Sequence, residues 1–260
     1  MKTELAQINF TRLLHYAATP KPQFSYHQPP ICDGFCVSCE EKGLLAVSDH
    51  RLYLMSHGAD TSDFEVAFGC ELPIDEGVHE TDLPVMFVLE SPGGDKGNGV
   101  PQTHHDVEKQ PPTLHYYWMP PEALSWPDRD AMLSQGNLYG PYFAYLLRRF
   151  GLKNAYFTNA VKCGLHDKNG RFVSYRHSVP LHQALRDNCF DEFLNEEVRA
   201  FQPKAIFAFG DNAHGLLRSS ATVGGRYPVH CLYHPSARNR RKMVEDNDSL
   251  IQAALDSRSW

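Results

Sequence analysis

Three cysteines near the N-terminus have a spacing suited to binding a metal cluster. They are Cys32, Cys36 and Cys39 in the segment CDGFCVSC, and they form a Cys-x3-Cys-x2-Cys pattern. Three such thiolates can bind three irons of a 4Fe–4S cluster. A single Cys-x2-Cys pair would instead need two thiolates from elsewhere in the chain. The seven cysteines are an odd number, and in a chain that is not exported we expect thiols or metal ligands rather than disulfides.

Three other polar residues each follow a short apolar segment. Glu90 follows PVMFVL, Asn159 follows AYFT and His234 follows PVHCLY. A carboxylate can orient water, an amide presents a donor beside an acceptor, and an imidazole can donate to a developing negative charge. The glycines after Glu90, starting with Gly93, allow backbone to approach a ligand closely. Each polar residue also has a structural alternative, as a solvated strand end, a turn residue or a packed histidine.

Strands and helices alternate around these residues. Apolar runs bounded by turn residues predict four strands, each buried on both faces, at 84–90, 154–161, 204–210 and 228–234. Helical patterns lie between them and at the C-terminus, where the last helix contains Met243, Leu250, Ile251, Ala254 and Leu255. This order predicts an α/β fold, a three-layer α/β/α domain around a mainly parallel four-stranded sheet. Sites in such sheets form at the carboxyl ends of the strands.

The composition is that of a soluble globular protein. The 260 residues are 42% hydrophobic and 22% charged, and the formal net charge is −6. We expect one domain over 1–260, with a cysteine-bearing N-terminal segment 1–83 and an ordered insertion at 98–136. No run suits a signal peptide or a membrane span, so a cytoplasmic location without membrane contact is expected. One basic cluster, SARNRRK at 236–242, is either a solvated helix start or a local nucleic-acid contact.

Four motifs in order resemble those of the uracil-DNA glycosylase superfamily. They are LESPGGDKG (89–97), YFTNAVKC (156–163), CFDEFLNEEVRAFQPKAIFAFGDNA (189–213) and YHPSAR (233–238). The iron–sulfur branch, family 4, is the most similar, although Leu89 replaces its usual glycine and Ser91 also departs from its pattern. The resemblance covers about 85–255 and implies DNA as the partner of a monomeric enzyme.

The resemblance also implies a role for each matching residue. Glu90 would orient or activate the attacking water, within a loop that includes Gly93. His234 would donate a hydrogen bond to the departing base, and Asn159 would read that base after it is flipped out. Tyr139 would stack on the base, with Tyr142 and Phe143 as rival candidates and core packing as the alternative for all three. The DNA backbone would be bound by Ser236, Arg238, Arg240 and Arg241.

The cysteines fall into the register of the same branch. By resemblance a structural 4Fe–4S cluster would be held by Cys36, Cys39, Cys163 and Cys189. Zinc bound by the same four thiolates is the alternative cofactor, and a plain buried cysteine is the alternative for Cys189. Cys32 would stand outside the cluster, and no role is predicted for Cys70 or Cys231.

Four functions remain after this comparison. The first is excision of uracil or another modified pyrimidine from DNA, which leaves an abasic site. The second is excision of a bulky modified cytosine from phage DNA, in antiviral defence, because the aromatic and histidine-rich insertion could enlarge the pocket. A DNA-binding protein without activity is the third. A radical S-adenosylmethionine enzyme, suggested only by the first three cysteines, is the weakest because it leaves the four motifs unexplained.

Overall fold

The structure is a computed structural model that describes residues 44–47, 59–60, 74–90, 129–134, 139–161, 164–167 and 194–257. Its strands within these ranges are β1 (Leu44–Val47), β2 (Ala59–Asp60), β3 (Val85–Leu89), β4 (Ala155–Asn159), β5 (Gly164–Asp167), β6 (Ala205–Phe209) and β7 (Val229–Leu232). Its helices there are α1 (Arg129–Leu133), α2 (Tyr139–Arg149), α3 (Asn195–Phe201), α4 (Asp211–Arg218) and α5 (Arg240–Asp256). Among these described helices, none has the length and apolarity needed to cross a membrane.

The main sheet has the order β2-β4-β3-β6-β7. The strands β4, β3, β6 and β7 are parallel to their neighbours, as the four apolar runs predicted. The short strand β2 adds an antiparallel edge beside β4, and it comes from a part of the chain where no strand was expected. The predicted α/β fold with a mainly parallel sheet is therefore confirmed.

Helices cover both faces of this sheet. Alternate side chains of the central strands, such as Val85, Phe87 and Leu89 of β3, pack with α1, α2 and α5. The intervening side chains, such as Met86 and Val88, pack with α3 and α4. Phe87 lies at the centre of the first layer, where its ring stacks on three others: Phe157 at 4.8 Å, Phe207 at 5.3 Å and Phe209 at 5.9 Å between centroids. The period of two along each strand thus separates two apolar cores.

One detail of the predicted burial is wrong. The strands β3, β4 and β6 are buried throughout, but three of the four residues of β7 are only partly buried. The reason is that β7 is the last strand of the sheet and has a neighbour on one side only. On the last helix Met243 and Ile251 are buried, while 41% of Leu250 is exposed.

A second sheet joins two distant parts of the chain. Strands β1 and β5 pair antiparallel, with Leu44 opposite Asp167 and Val47 opposite Gly164. Strand β5 begins directly after Cys163, and β1 begins shortly after Cys39. The backbone therefore places the two segments that follow these cysteines side by side.

Candidate active site

The polar residues singled out by the sequence lie at one edge of the main sheet. Glu90 follows β3, Asn159 ends β4 and His234 follows β7, and these strands are parallel with their ends in register. Asn159 pairs with Leu89, the residue before Glu90, and Gly210 after β6 donates its N–H to Leu232 O at 2.7 Å. With about 4.8 Å between neighbouring strands, the carboxyl ends of β4 and β7 lie on the order of 14 Å apart.

Glu90 is partly buried, and a side chain from the helix that follows β6 binds its carboxylate. The Nδ2 of Asn212 donates a hydrogen bond to Glu90 Oε2 at 3.2 Å. Asn212 lies in the first turn of α4, directly after β6. Asn212 lies within the motif at 189–213, but no role was predicted for it, so it is a candidate site residue that the sequence did not single out. The bond directs one carboxylate oxygen of Glu90 towards the first turn of α4.

Leu89, the residue that departs from the glycosylase pattern, is a core residue. It is the last residue of β3, its side chain is buried, and it packs in the layer formed with α1, α2 and α5. The backbone of β3 and β4 stays paired there, since Ala160 N–H donates to Leu89 O at 2.8 Å and Val161 N–H donates to Glu90 O at 2.9 Å. A leucine at this position therefore fills the core beneath the site.

One ring nitrogen of His234, Nδ1, is hydrogen-bonded within the turn that follows this residue. The backbone N–H of Ser236 donates to His234 Nδ1 at 3.3 Å, and Ser236 Oγ lies 2.7 Å from the same atom. A backbone N–H can only donate, so Nδ1 accepts and the proton of the neutral ring belongs on Nε2. Burial lowers the pKa of His234 below its ordinary value. The ring is thus a neutral hydrogen-bond donor through Nε2.

Asn159 is completely buried at the end of β4. Two other polar residues of β4 connect this strand to α3. Tyr156 Oη donates to Glu197 Oε1 at 3.0 Å, and Thr158 Oγ1 donates to Glu197 Oε2 at 3.1 Å. Glu197 is itself buried and was not singled out by the sequence. This network supports the end of β4 from one face, so the position of Asn159 is defined by packing and by hydrogen bonds.

The stacking candidates divide between two environments. Tyr139 is the first residue of α2, but its side chain lies outside the described residues. Its two rivals are core residues: Phe143 packs against Phe157 at 4.9 Å, and Tyr142 is fully buried beside Asn247. Core packing, the alternative given for all three, is what the structure assigns to Tyr142 and Phe143.

The basic cluster at 236–242 begins two residues after His234 and runs into the first turn of α5. Ser236 and Arg238 are exposed, and Asn239 caps the helix by accepting from Lys242 N–H at 3.1 Å. Arg240 is partly buried. Arg241 forms an ion pair with Asp130 of α1 at 2.8 Å. The cluster is therefore a helix start, and it also presents Arg238 to solvent beside the site.

The cysteine predictions concern residues that the structure does not describe. Cys36, Cys39, Cys163 and Cys189 lie outside the described residues, as does Gly93. Within the described ranges there is no group of three or more histidine, cysteine or acidic residues that could hold a metal ion. Cys231, for which no role was predicted, is described: its thiol lies 3.6 Å from Asp211 Oδ1, and burial together with Asp211 raises its pKa to about 11.

The family model of the uracil DNA glycosylase superfamily matches residues 76–257, which include every element from β3 to α5. The crystal structure of wild-type SMUG2 from Pedobacter heparinus is similar to this chain at 16% sequence identity, with a TM-score of 0.37. That similarity covers 68% of this chain and 77% of the other. No curated protein matches the sequence.

Proposed function

This chain belongs to the uracil DNA glycosylase superfamily, and we propose that it flips a pyrimidine nucleotide out of DNA and excises uracil or another modified base. At the level of the family it is a DNA glycosylase, a hydrolase whose substrate is DNA. One observation carries the finer proposal. A carboxylate fixed by Asn212 and a neutral histidine whose Nδ1 is already engaged lie at the same edge of one parallel sheet.

Each group has a step to perform in this reaction. A water oxygen bonds to C1′ of the sugar while the bond from C1′ to the base nitrogen breaks, and the electron pair leaves with the base. The Glu90 carboxylate orients the water, stabilises the oxocarbenium-like sugar and accepts the released proton. The Nε2–H of His234 donates to the carbonyl oxygen where the base gathers negative charge, and solvent later protonates the base. Asn159 reads the hydrogen-bonding edge of the flipped base.

A bulky modified cytosine, as found in phage DNA, is the second candidate substrate. The end of the 98–136 insertion supports it, because α1 lies there and is tied to the helix that follows the His234 loop. Arg129 donates to Glu245 at 2.9 Å, and Asp130 pairs with Arg241 at 2.8 Å. The described end of the insertion therefore packs against the helix that follows the His234 loop. An enzyme of this specificity would act in antiviral defence.

A panel of DNA substrates tests these proposals. Duplex and single-stranded oligonucleotides with uracil, unmodified cytosine, hydroxymethylcytosine or glucosylated cytosine are incubated with the protein, and abasic sites are detected by alkaline cleavage. Cleavage at uracil alone supports the first substrate, and cleavage at the glucosylated base alone supports the second. Binding without cleavage of any substrate would identify a DNA-binding protein that does no chemistry.

Matched variants assign the activity to this site. Glu90→Gln and His234→Gln should each lower excision by about 100-fold or more. Glu80→Gln is the control for the first, because Glu80 precedes the same strand at its opposite end, where it pairs with Lys153. His230→Gln is the control for the second, since His230 lies on β7 and stacks on Phe207 at 5.3 Å. Equal losses in a variant and its control would reject the site.

We also propose that four thiolates hold a structural 4Fe–4S cluster, as in family 4. Four cysteine thiolates are a complete ligand set for such a cluster, and the pairing of β1 with β5 supports a common location for the segments after Cys39 and Cys163. The cluster would fix these segments and takes no part in the steps above. Iron and sulfide analysis of anaerobically purified protein distinguishes it from zinc. Replacing Cys39 should bleach the cluster, whereas replacing Cys32 should leave it in place.

A further inference from the structure

The side-chain amide of Asn247 binds both backbone groups of one residue. Tyr233 N–H donates to Asn247 Oδ1 at 2.7 Å, and Asn247 Nδ2 donates to Tyr233 O at 2.9 Å. Asn247 is completely buried in the second turn of α5, 14 residues further along the chain. Since a backbone N–H only donates and a carbonyl only accepts, these two partners determine which amide atom is oxygen and which is nitrogen.

The position of this contact explains what it does for β7. Ile206 N–H donates to Pro228 O at 3.0 Å, and Gly210 N–H donates to Leu232 O at 2.7 Å, so these residues face β6. Successive residues of a strand direct their backbone groups to alternate sides. The backbone groups of Tyr233 therefore face the outer edge of the sheet, where Asn247 takes the place of a neighbouring strand.

Two further contacts, with Tyr142 and Met243, hold the Asn247 amide in its orientation. Its Nδ2 also donates to Tyr142 Oη at 2.9 Å and lies 3.3 Å from Met243 Sδ. Tyr142 is fully buried, and burial raises its pKa well above the usual range of a phenol, so its oxygen stays a neutral acceptor. The amide is thus held between Tyr142 of α2 and the outer edge of β7.

We propose that Asn247 is a positioning residue for His234, the histidine that follows Tyr233 directly. The backbone of Leu232 is hydrogen-bonded to β6, and the backbone of Tyr233 is hydrogen-bonded to Asn247 on the other side. These bonds restrict the backbone conformation of the two residues that precede His234. The turn beyond it closes with Ala237 N–H donating to His234 O at 2.9 Å. The role of His234 in excision rests on the proposed function, whereas the positioning claim concerns the geometry of its backbone and ring.

Three variants test the claim. Asn247→Leu keeps the approximate size and removes both backbone bonds. Asn247→Asp keeps the oxygen that accepts from Tyr233 N–H but replaces the amide donor with a second oxygen. It is the test variant if Asn247→Leu does not fold. Ile251→Ala is the control for lost stability, because Ile251 is a buried core residue of the same helix. Each is compared with the unaltered protein at a temperature where all are folded, with a uracil-containing duplex oligonucleotide under single-turnover conditions.

The expected result is a loss in the rate of excision with little change in DNA binding. Displacing a reacting group by about 1 Å can cost on the order of 100-fold in rate. We therefore expect Asn247→Leu to lose about 100-fold in excision rate, Asn247→Asp to lose less, and Ile251→Ala to lose less than about threefold. Equal rates for Asn247→Leu and Ile251→Ala would overturn the proposal.

A second measurement does not depend on activity. In the 15N spectrum of the free protein, the His234 ring should show a protonated Nε2 and an accepting Nδ1, and the Tyr233 amide should exchange slowly with solvent. Asn247→Leu should mix the ring tautomers and speed that exchange about tenfold or more, while Ile251→Ala should not. If the unaltered protein excises no base, the proposed function fails, and this spectrum alone decides the positioning claim: an unchanged His234 signal in Asn247→Leu overturns it.

Discussion

Asn212 and Glu90 are joined by a hydrogen bond of 3.2 Å although they lie 122 residues apart in the chain. The bond connects the first turn of α4 to the residue that follows β3, across two neighbouring strands of the sheet. It holds one oxygen of the carboxylate at the edge where His234 also lies. In the proposed reaction this carboxylate directs a water molecule at one sugar carbon, so a bond that holds it in place should favour excision.

Asn212→Ala should lower the rate of base excision by about tenfold, less than Glu90→Gln, because it removes the support of the carboxylate but not the carboxylate. Asn212→Asp should be more harmful than Asn212→Ala, since a second negative charge would replace a donor. Single-turnover rates on the preferred oligonucleotide measure both effects. Equal activity of Asn212→Asp and the unaltered protein would show that the bond does not matter for excision.

The pH dependence of excision should reflect the buried state of His234. Burial lowers its pKa below the ordinary value of 6.5, so the ring stays neutral as the pH falls through 6.5. Activity should decline only at lower pH, where protonation of Nδ1 brings an N–H against the Ser236 N–H. The pH profile of the excision rate measures this, and an acid limb centred above 6.5 would contradict it.

The free energy of unfolding should also decrease as the pH falls, because of the same histidine. Between 6.5 and the lower pKa of the folded state, the unfolded chain binds a proton at this histidine and the folded protein does not. The free energy of unfolding should therefore fall as the pH falls through this window. His234→Gln should remove that part of the dependence, which urea titrations at several pH values would measure. His230, whose pKa burial also lowers, contributes in the same direction and is tested by His230→Gln.

Two arginines of the basic cluster should differ in how they affect DNA binding. Both are exposed, but Arg241 pairs with Asp130 and its backbone oxygen accepts from Arg129 at 3.3 Å. Arg238→Ala should weaken binding and reduce the slope of log K against log salt by about 1. Arg241→Ala should reduce the slope less, because that charge is partly neutralised. Fluorescence anisotropy over a salt series measures both slopes, and identical slopes would reject the distinction.

The aromatic centre of the core should carry a large share of the stability. Phe87→Ala removes a fully buried ring that stacks on three others, and it should cost about 3–5 kcal/mol of unfolding free energy. Leu250→Ala is the control on the exposed part of α5 and should change stability by less than about 0.5 kcal/mol. Chemical denaturation measures both, and a large loss in Leu250→Ala would contradict the exposure of that side chain.

Much of the sheet and part of the site could be predicted because their signals are local. The four parallel strands are runs of apolar residues, and any such run bounded by turns is stable only when buried. Glu90, Asn159 and His234 follow those runs directly, so the parallel arrangement alone places them at one edge. The predicted burial of β7 on both faces was wrong because burial depends on which neighbours exist, and β7 lies at the end of the sheet.

The sequence by itself determined the family of this protein, since four motifs in order match it and the family model covers residues 76–257. It also determined the strands of the parallel sheet and the residues that follow them, because the hydrophobic pattern of a buried strand is visible in consecutive residues. Only the tertiary structure decided that Asn212 holds Glu90 and that Asn247 holds the backbone of Tyr233. The physical reason is that a directed hydrogen bond needs both partners within about 3 Å. That distance depends on how α4 and α5 pack on the sheet, and no short stretch of sequence specifies such packing.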